Sequence, residues 1–405
     1  MTVRVNKPAF NLREKLSELE RPIGLKGSEL MKSETVQDAR DLVSAGRKNI
    51  MINGALEINQ RGFSSRVYTS ASNNVYTVDR FAIDWSLNGQ MTVTLENDAP
   101  TGFNKSIKFT VDTASTDNLT QSEYNTLKYN VESPDTSHLA YGSPDAKPIT
   151  LSFWVKANHP GKYSAGFRSY AVGQTRGNHQ SYRINSPNTW EYKTLTFLGD
   201  TEYALPDDNS RSLQLHMAVT NGDTIDDPTD NGNWDSGNQI GLLSESTMDD
   251  FNSTAGNTIQ WTGFQLEVGR NATEFEHRPI GEELALCQRY YQKIYYNASD
   301  YPFGYGYIYN NTNSAVTVPL PNSMRPVGAI NFANLRIRGG AAAGTNDSVN
   351  VSGFTFASDN GSKNGLCQLN VTHSAVSSTN QNIGATCVLT NAGNSTSYLE
   401  IDSEL

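Results

Sequence analysis

ITLSFWVKA, residues 149–157, sets the period of this chain. Ile149, Leu151, Phe153 and Val155 fall on every second position, with Thr150, Ser152 and Lys156 among the residues between. A strand points successive side chains to opposite faces, so this spacing aims one apolar row at a core and leaves the other row outside. WEYKTLTF, residues 190–197, repeats the pattern with aromatic and β-branched residues. Similar runs lie near 49–58, 76–86, 90–96, 105–112, 124–132, 162–172, 211–220 and 258–268, separated by Asn, Asp, Gly, Pro and Ser clusters. No long helical pattern intervenes. Short strands joined by polar turns predict a mainly β chain built on an antiparallel jelly-roll sandwich.

Working outward, ATEFEHRPIGEELALCQRYYQK, residues 272–293, breaks the period. Pro279 and Gly281 open a predicted connecting helix over 279–297, with Glu282 and Glu283 in the first turn, where the helix dipole favours acid. Leu284, Cys287, Tyr291 and Ile294 then form one apolar stripe that packs on a sheet or a sister chain. Strands resume at 301–309, 314–320, 327–337, 348–357, 365–373, 385–391 and 396–401, which predicts a second, smaller β-sandwich. The expected division is a leader over 1–47, the jelly roll over 48–278, the helix over 279–297 and the second β domain over 298–405.

The leader reads differently. Phe10, Leu12, Leu16 and Leu19 recur at helical spacing, and a second short helix runs over 34–45 between Ser33 and Gly46. Two short helices around a Pro-Gly linker bury little alone, so the leader is expected to order on a partner. Residues 1–48 hold ten Lys and Arg against seven Asp and Glu, a net +3, so the remainder carries −13 to give the chain's −10. A solvated helix face is the plain reading of the basic leader, and an acidic docking site the alternative.

The chain has 405 residues, 37% hydrophobic and 18% charged, enough for more than one core under an uncharged polar surface. The net charge of −10 argues against a nucleic-acid groove. No apolar run is long enough to span a bilayer. Cys287, Cys367 and Cys387 form no CxxC pair and have no His at zinc spacing. An odd thiol count without a secretion signal leads to the expectation of reduced cysteines in a protein made in a cytoplasm.

Three stretches are candidate sites. In the 272–293 stretch, His277 with Glu274, Glu276 and Glu282 offers acid–base or metal chemistry, but no HxxxH or HExxH spacing supports it; a joint between domains is the competing reading. In DTIDDPTDNGNWDSGNQ, residues 223–239, Trp234 among Asp230, Asn233 and Asp235 has the make-up of a sugar-stacking ring with acceptors at its rim. Asp223, Asp226 and Asp227 in the same loop could supply oxygens to calcium, although the spacing is not that of an EF-hand; a solvated edge loop is the plain alternative. In YPFGYGYIY, residues 301–309, Tyr305 and Tyr307 share one strand face with three further rings, which suits a core or an oligomer contact, or else a glycan platform. Gly304 and Gly306 bare the opposite face for close backbone approach. No GxSxG, P-loop or GxGxxG motif is present, and no period of 20–50 residues marks a solenoid, so no enzyme and no cofactor are expected.

RKNIMINGALEINQRGF, YTVDRFAIDW and WTGFQLEVGRNATEFEHRPIGEELALCQRYY together resemble a family of bacteriophage virion proteins, fibre-like or receptor-binding, with a carbohydrate-binding-module-like jelly roll. The resemblance covers about 48–296 and recurs at VPLPNSMRPVG, residues 318–328. FNLREKLSELERPIGLKG and the helix after it resemble a virion-attachment leader. The resemblance implies a homotrimeric adhesin assembled in host cytoplasm, held to other virion proteins by residues 1–47 and binding a host-surface glycan. A purely structural decoration or connector is the alternative, and a glycan-degrading tailspike the more distant one. No catalytic residue carries over.

Overall fold

The computed structural model describes residues 48–405 apart from 70, 116–123, 222–231, 237–250, 297–301, 326–327, 340–346, 358–361, 364–365, 375–385 and 392–396. The leader helices over 1–47, and Asp223, Asp226, Asp227 and Asp230, therefore lie outside the described residues.

The chain is mainly β and antiparallel. Twelve strands form two six-stranded sheets. Sheet I runs β1 (Ser65–Tyr68), β4 (Gln90–Glu96), β5 (Ser106–Thr113), β12 (Thr258–Val268), β7 (Ile149–Ala157) and β10 (Glu191–Phe197). Sheet II runs β2 (Ser72–Tyr76), β3 (Phe81–Trp85), β6 (Tyr124–Glu132), β11 (Arg211–Asn221), β8 (Gly161–Ala171) and β9 (Gln174–Ile184). The period-two reading of 149–157 holds: Ile149, Leu151, Phe153, Val155 and Ala157 are all buried, while Trp154 and Lys156 are half-buried. The inner faces meet in one core. Phe109 packs edge-on to Trp261 at 5.0 Å, and Phe81 to Tyr129 at 5.1 Å. Each fully buried ring or Leu there contributes roughly 1.5–3 kcal/mol. A bulge in β12 between Thr262 and Gln265 sits at Gly263, whose φ is +64° and whose missing Cβ would lie 2.7 Å from Phe103. Only glycine meets both conditions without strain.

The 272–293 stretch contains a shorter helix than the sequence suggested. Helix α1 spans Ile280–Gln288, and Tyr291–Tyr296 is strand β13. Tyr291 and Ile294 therefore do not continue a helical stripe with Leu284 and Cys287. The aromatic and β-branched run YYQKIYY suits a pleated surface, and pairing with β22 (Ser397–Asp402) outweighs helix propagation. Cys287 is buried with Ile52, Ile58 and Tyr290, with Leu284 packed at the edge of that cluster.

Beyond α1 a second core forms. β15 (Asn313–Pro319), β14 (Pro302–Asn310), β21 (Thr386–Asn391), β17 (Leu335–Gly339), β18 (Asp347–Phe356) and β20 (Leu366–His373) are neighbours in order, and β15 pairs back onto β20. One layer is thus closed into a ring, which removes its open edges. The other layer, β13–β22–β16 (Ala329–Ala333), packs Leu399 and Ile401 into the same core as Ile337, Leu369 and Leu389. Gly306 in β14 permits a close approach: a Cβ there would meet the Ala315 carbonyl at 1.8 Å. Phe303 turns inward, whereas Tyr305 and Tyr307 are 61% and 51% exposed.

Residues 49–405 form a single compact unit. Charged side chains tie its two cores together. Glu132 at the end of β6 accepts Arg289 Nε and Nη2 at 2.8 Å each and the Tyr290 hydroxyl at 2.9 Å. Arg80 pairs with Glu404 and lies 3.4 Å over the Tyr290 ring. Arg61 pairs with Asp402 at 2.9 Å.

Candidate ligand-binding groove

The fold presents the outer face of sheet II as a polar surface with a hollow at its centre. Strand alternation selects the side chains. Tyr124, Thr126, Lys128 and Asn130 of β6 point away from the core row of Leu127 and Tyr129, as Gln214 and His216 of β11 point away from Leu213 and Leu215. Pairing aligns them: Lys128 lies opposite His216, and His216 opposite Gly166; Asn130 lies opposite Gln214, and Gln214 opposite Arg168. The glycine in the first row leaves the floor low. The resulting groove, about 490 Å³, is lined by Asp84, Tyr124, Lys128, Arg168, Tyr170, Arg211, Gln214 and His216, with Asn73, Asn74 and Leu405 at its margin.

A hydrogen-bond chain orders the floor. Gln214 Oε1 accepts the Tyr170 hydroxyl at 3.0 Å and meets His216 Nε2 at 3.0 Å. Gln214 Nε2 donates to Asn130 Oδ1 at 2.7 Å, and Arg211 Nη1 donates to the same oxygen at 3.3 Å. Asn130 Nδ2 donates in turn to the Leu405 carbonyl at 2.8 Å. An amide oxygen can only accept, so Nε2 carries the imidazole proton and Nδ1 keeps its lone pair. His216 is 2% exposed, and its Nδ1 has no hydrogen-bond partner among the described residues. Burial, reinforced by the charges of Lys128, Arg168 and Arg211, holds His216 well below the ordinary histidine range, so the ring stays neutral.

The cations are arranged around one acid. Lys128 Nζ meets Asp84 at 2.7 Å. Burial lowers the lysine's pKa, and Asp84 works against that shift. The Tyr170 ring carries Arg211 at 4.0 Å and Arg168 at 4.8 Å from its centroid. Burial also lowers Arg211, with the neighbouring Arg168 charge adding to it. Asp84 is the only carboxylic side chain among the lining residues. The arrangement supplies donors, one buried acceptor and aromatic surface, which is the equipment of a binding site.

The residues singled out from sequence fall elsewhere. Trp234 is 8% exposed, contrary to the exposed sugar-stacking ring expected. Its Nε1 donates to the Leu198 carbonyl at 2.7 Å, and its ring packs edge-on to Tyr141. A two-bond bridge between Asp235 and Gly177 fixes this segment to β9, which is why the ring turns inward. Asn233 and Asp235 are exposed beside it.

The 272–293 stretch lines a smaller hollow of about 270 Å³. Two of its acids, Glu276 and Glu283, are engaged by main chain. Glu276 accepts the Asn49 N–H at 2.7 Å and Glu283 accepts that of Asn53, while Arg278 donates to the Asn49 and Met51 carbonyls. His277 is exposed and rests against Phe103 and Phe275. This is the joint that clasps residues 49–53 to the start of α1. Among the described residues no three His, Cys, Asp or Glu side chains converge as a cation site.

The groove was not foreseen because its residues occupy the polar half of ordinary strand alternation. The available signal was chemical: YNTLKYN and SLQLHMA place Tyr, Lys, His and Gln on the outer rows of central strands, where a plain solvent face has less need of them.

No protein-family model and no curated protein matches the sequence. Among solved structures, the chain is similar to the enzymatically active domain of bacteriophage CBA120 tailspike protein 4, at TM-score 0.28 and 14% identity. That match covers 54% of this chain and 21% of the tailspike chain, so it spans about a fifth of the tailspike's length. It is also similar to the C-terminal family 22 carbohydrate-binding module of Clostridium thermocellum Xyn10B, at TM-score 0.28 and 8% identity over 51% of this chain and 97% of the module. A family 11 carbohydrate-binding module from the same organism, in complex with a mixed-linked tetrasaccharide, gives TM-score 0.26 and 9% identity over 53% and 99%.

Proposed function

We propose that this protein is a bacteriophage virion adhesin that binds a host-surface saccharide in the groove on sheet II. The groove carries the reading. Its volume lies within the roughly 300–1,000 Å³ typical of small-ligand pockets. A sugar presents hydroxyls, which both donate and accept, on a ring with apolar C–H faces. The guanidinium groups of Arg168 and Arg211 and the Lys128 ammonium donate to such hydroxyls, and Tyr124 offers ring surface. With its single acidic side chain held by Lys128, the groove offers no pair of Asp or Glu side chains for glycoside hydrolysis, so we assign it binding and no hydrolysis.

The virion setting rests on the sequence resemblance. In this reading residues 1–47 dock on other virion proteins, the β body faces outward, and three copies associate. The exposed rings of Tyr305 and Tyr307 favour a surface made for assembly, and a connector without a ligand is the competing reading. Binding of the full-length protein to an array of bacterial surface polysaccharides separates the two. The adhesin reading requires saturable binding that Tyr124→Ala weakens at least tenfold. Absence of binding across the array leaves the connector.

A further inference from the structure

The charge inventory of the groove carries a more specific assignment, which rests on the saccharide reading above. We propose that the groove selects an acidic saccharide, with Arg168 and Arg211 facing the anionic group of the sugar. Three cationic side chains line the hollow against one acidic side chain, Asp84, which is already paired with Lys128 at 2.7 Å. Neither arginine has an acidic partner among the described residues. The Arg168 side chain makes no hydrogen bond to a described residue, and its guanidinium lies 4.8 Å from the centroid of the Tyr170 ring. The Nε atoms of Arg168 and Arg211 are both buried with no hydrogen-bond partner among the described residues. Buried donors of this kind are normally satisfied, and two guanidinium groups over one ring repel each other. A carboxylate, sulfate or phosphate set between them would fill the donor sites with charge-assisted bonds and cancel the repulsion.

The surroundings point the same way. The chain as a whole carries −10, so this basic hollow is a local reversal of sign. A protein of that charge repels an acidic polysaccharide in general, and a fixed pair of guanidinium groups is the device that overcomes this at one place. Tyr170 acts as the positioning residue: its ring holds both arginines and its hydroxyl is anchored on Gln214. The neutral His216 beneath adds no charge to the floor.

The test uses the full-length protein against matched polymers: acidic capsular polysaccharides bearing uronic acid and the same polymers after carboxyl reduction. Sulfated and phosphodiester-linked glycans form separate arms that show which anion is preferred. The proposal expects native acidic polymers to bind at least tenfold more tightly than their reduced forms, with affinity falling as salt is raised. It also expects Arg168→Gln and Arg211→Gln each to lower that affinity about tenfold, with Arg168→Lys intermediate and the melting curves unchanged. Equal binding of native and reduced polymers would overturn the acidic assignment and leave the saccharide reading standing. Acidic binding that survives both arginine substitutions would also overturn it, since the anion would then sit elsewhere. Binding by no polymer of any arm would remove the saccharide reading itself.

Discussion

Replacing Glu132 by alanine should loosen the attachment between the two cores more than any single surface change. The carboxylate is 1% exposed and accepts three hydrogen bonds, two from Arg289 and one from Tyr290, with Arg325 Nε at 3.5 Å. Removing one partner of a buried ion pair costs roughly 3–5 kcal/mol, and an orphaned buried hydroxyl such as that of Tyr290 roughly 1–3 kcal/mol. Arg289 is 37% exposed, so it can turn to water and recover part of the loss. The expected cost of Glu132→Ala is therefore about 2–4 kcal/mol, with Glu132→Gln at about half, because an amide oxygen still accepts from Tyr290. Burial acts to raise this carboxyl, but the Arg289 and Tyr290 hydrogen bonds outweigh it and hold it below its ordinary range. A depressed folded pKa means that the stabilisation is complete above the unfolded value and is lost as pH falls through the folded one. Equilibrium urea unfolding, followed by tyrosine and tryptophan fluorescence at neutral and acid pH, measures both effects. A loss under about 1 kcal/mol for the alanine variant at neutral pH would refute the idea that this ion cluster holds the cores together.

Asp79 gives the opposite pH dependence. Burial pushes it up to about 7 against the Gln60 hydrogen bonds and the Arg61 charge, so stability should fall by about 1–3 kcal/mol between pH 5 and 8 and Asp79→Asn should flatten that slope, as read from urea midpoints. Cys287 should resist a bulky thiol reagent in the native state, because burial pushes its thiol well up and its cluster excludes solvent; peptide mapping after labelling checks this, and Cys287→Ser should cost roughly 1–3 kcal/mol. Deleting residues 1–47 should leave the melting transition of the body unchanged and abolish incorporation into purified particles. Light scattering of the full-length protein at micromolar concentration should return the mass of three chains.

The apolar half of the strand pattern was legible in the sequence, since Ile149, Leu151, Phe153 and Val155 can be buried together only on one face of a strand. The end of α1 was not, because the stripe through Tyr291 and Ile294 fits helical spacing and is overruled only by pairing with β22, more than a hundred residues away. Trp234 was misread for a related reason: a tryptophan among Asp and Asn looks solvated until the bridge to Gly177 turns it inward. The groove depends on which outer rows of β6, β8 and β11 align, and that register is set by long-range pairing. The 272–293 stretch yielded its competing answers in advance, but choosing the joint required seeing the Asn49 and Asn53 amides on Glu276 and Glu283.

A crystal structure of the full-length protein with an oligosaccharide cut from a polymer it binds would test the saccharide site most directly. The sugar is expected over His216, with its anionic group between Arg168 and Arg211. A sugar seated along Tyr305 and Tyr307, or beside Asn233 and Asp235, with the sheet II groove empty, would contradict it.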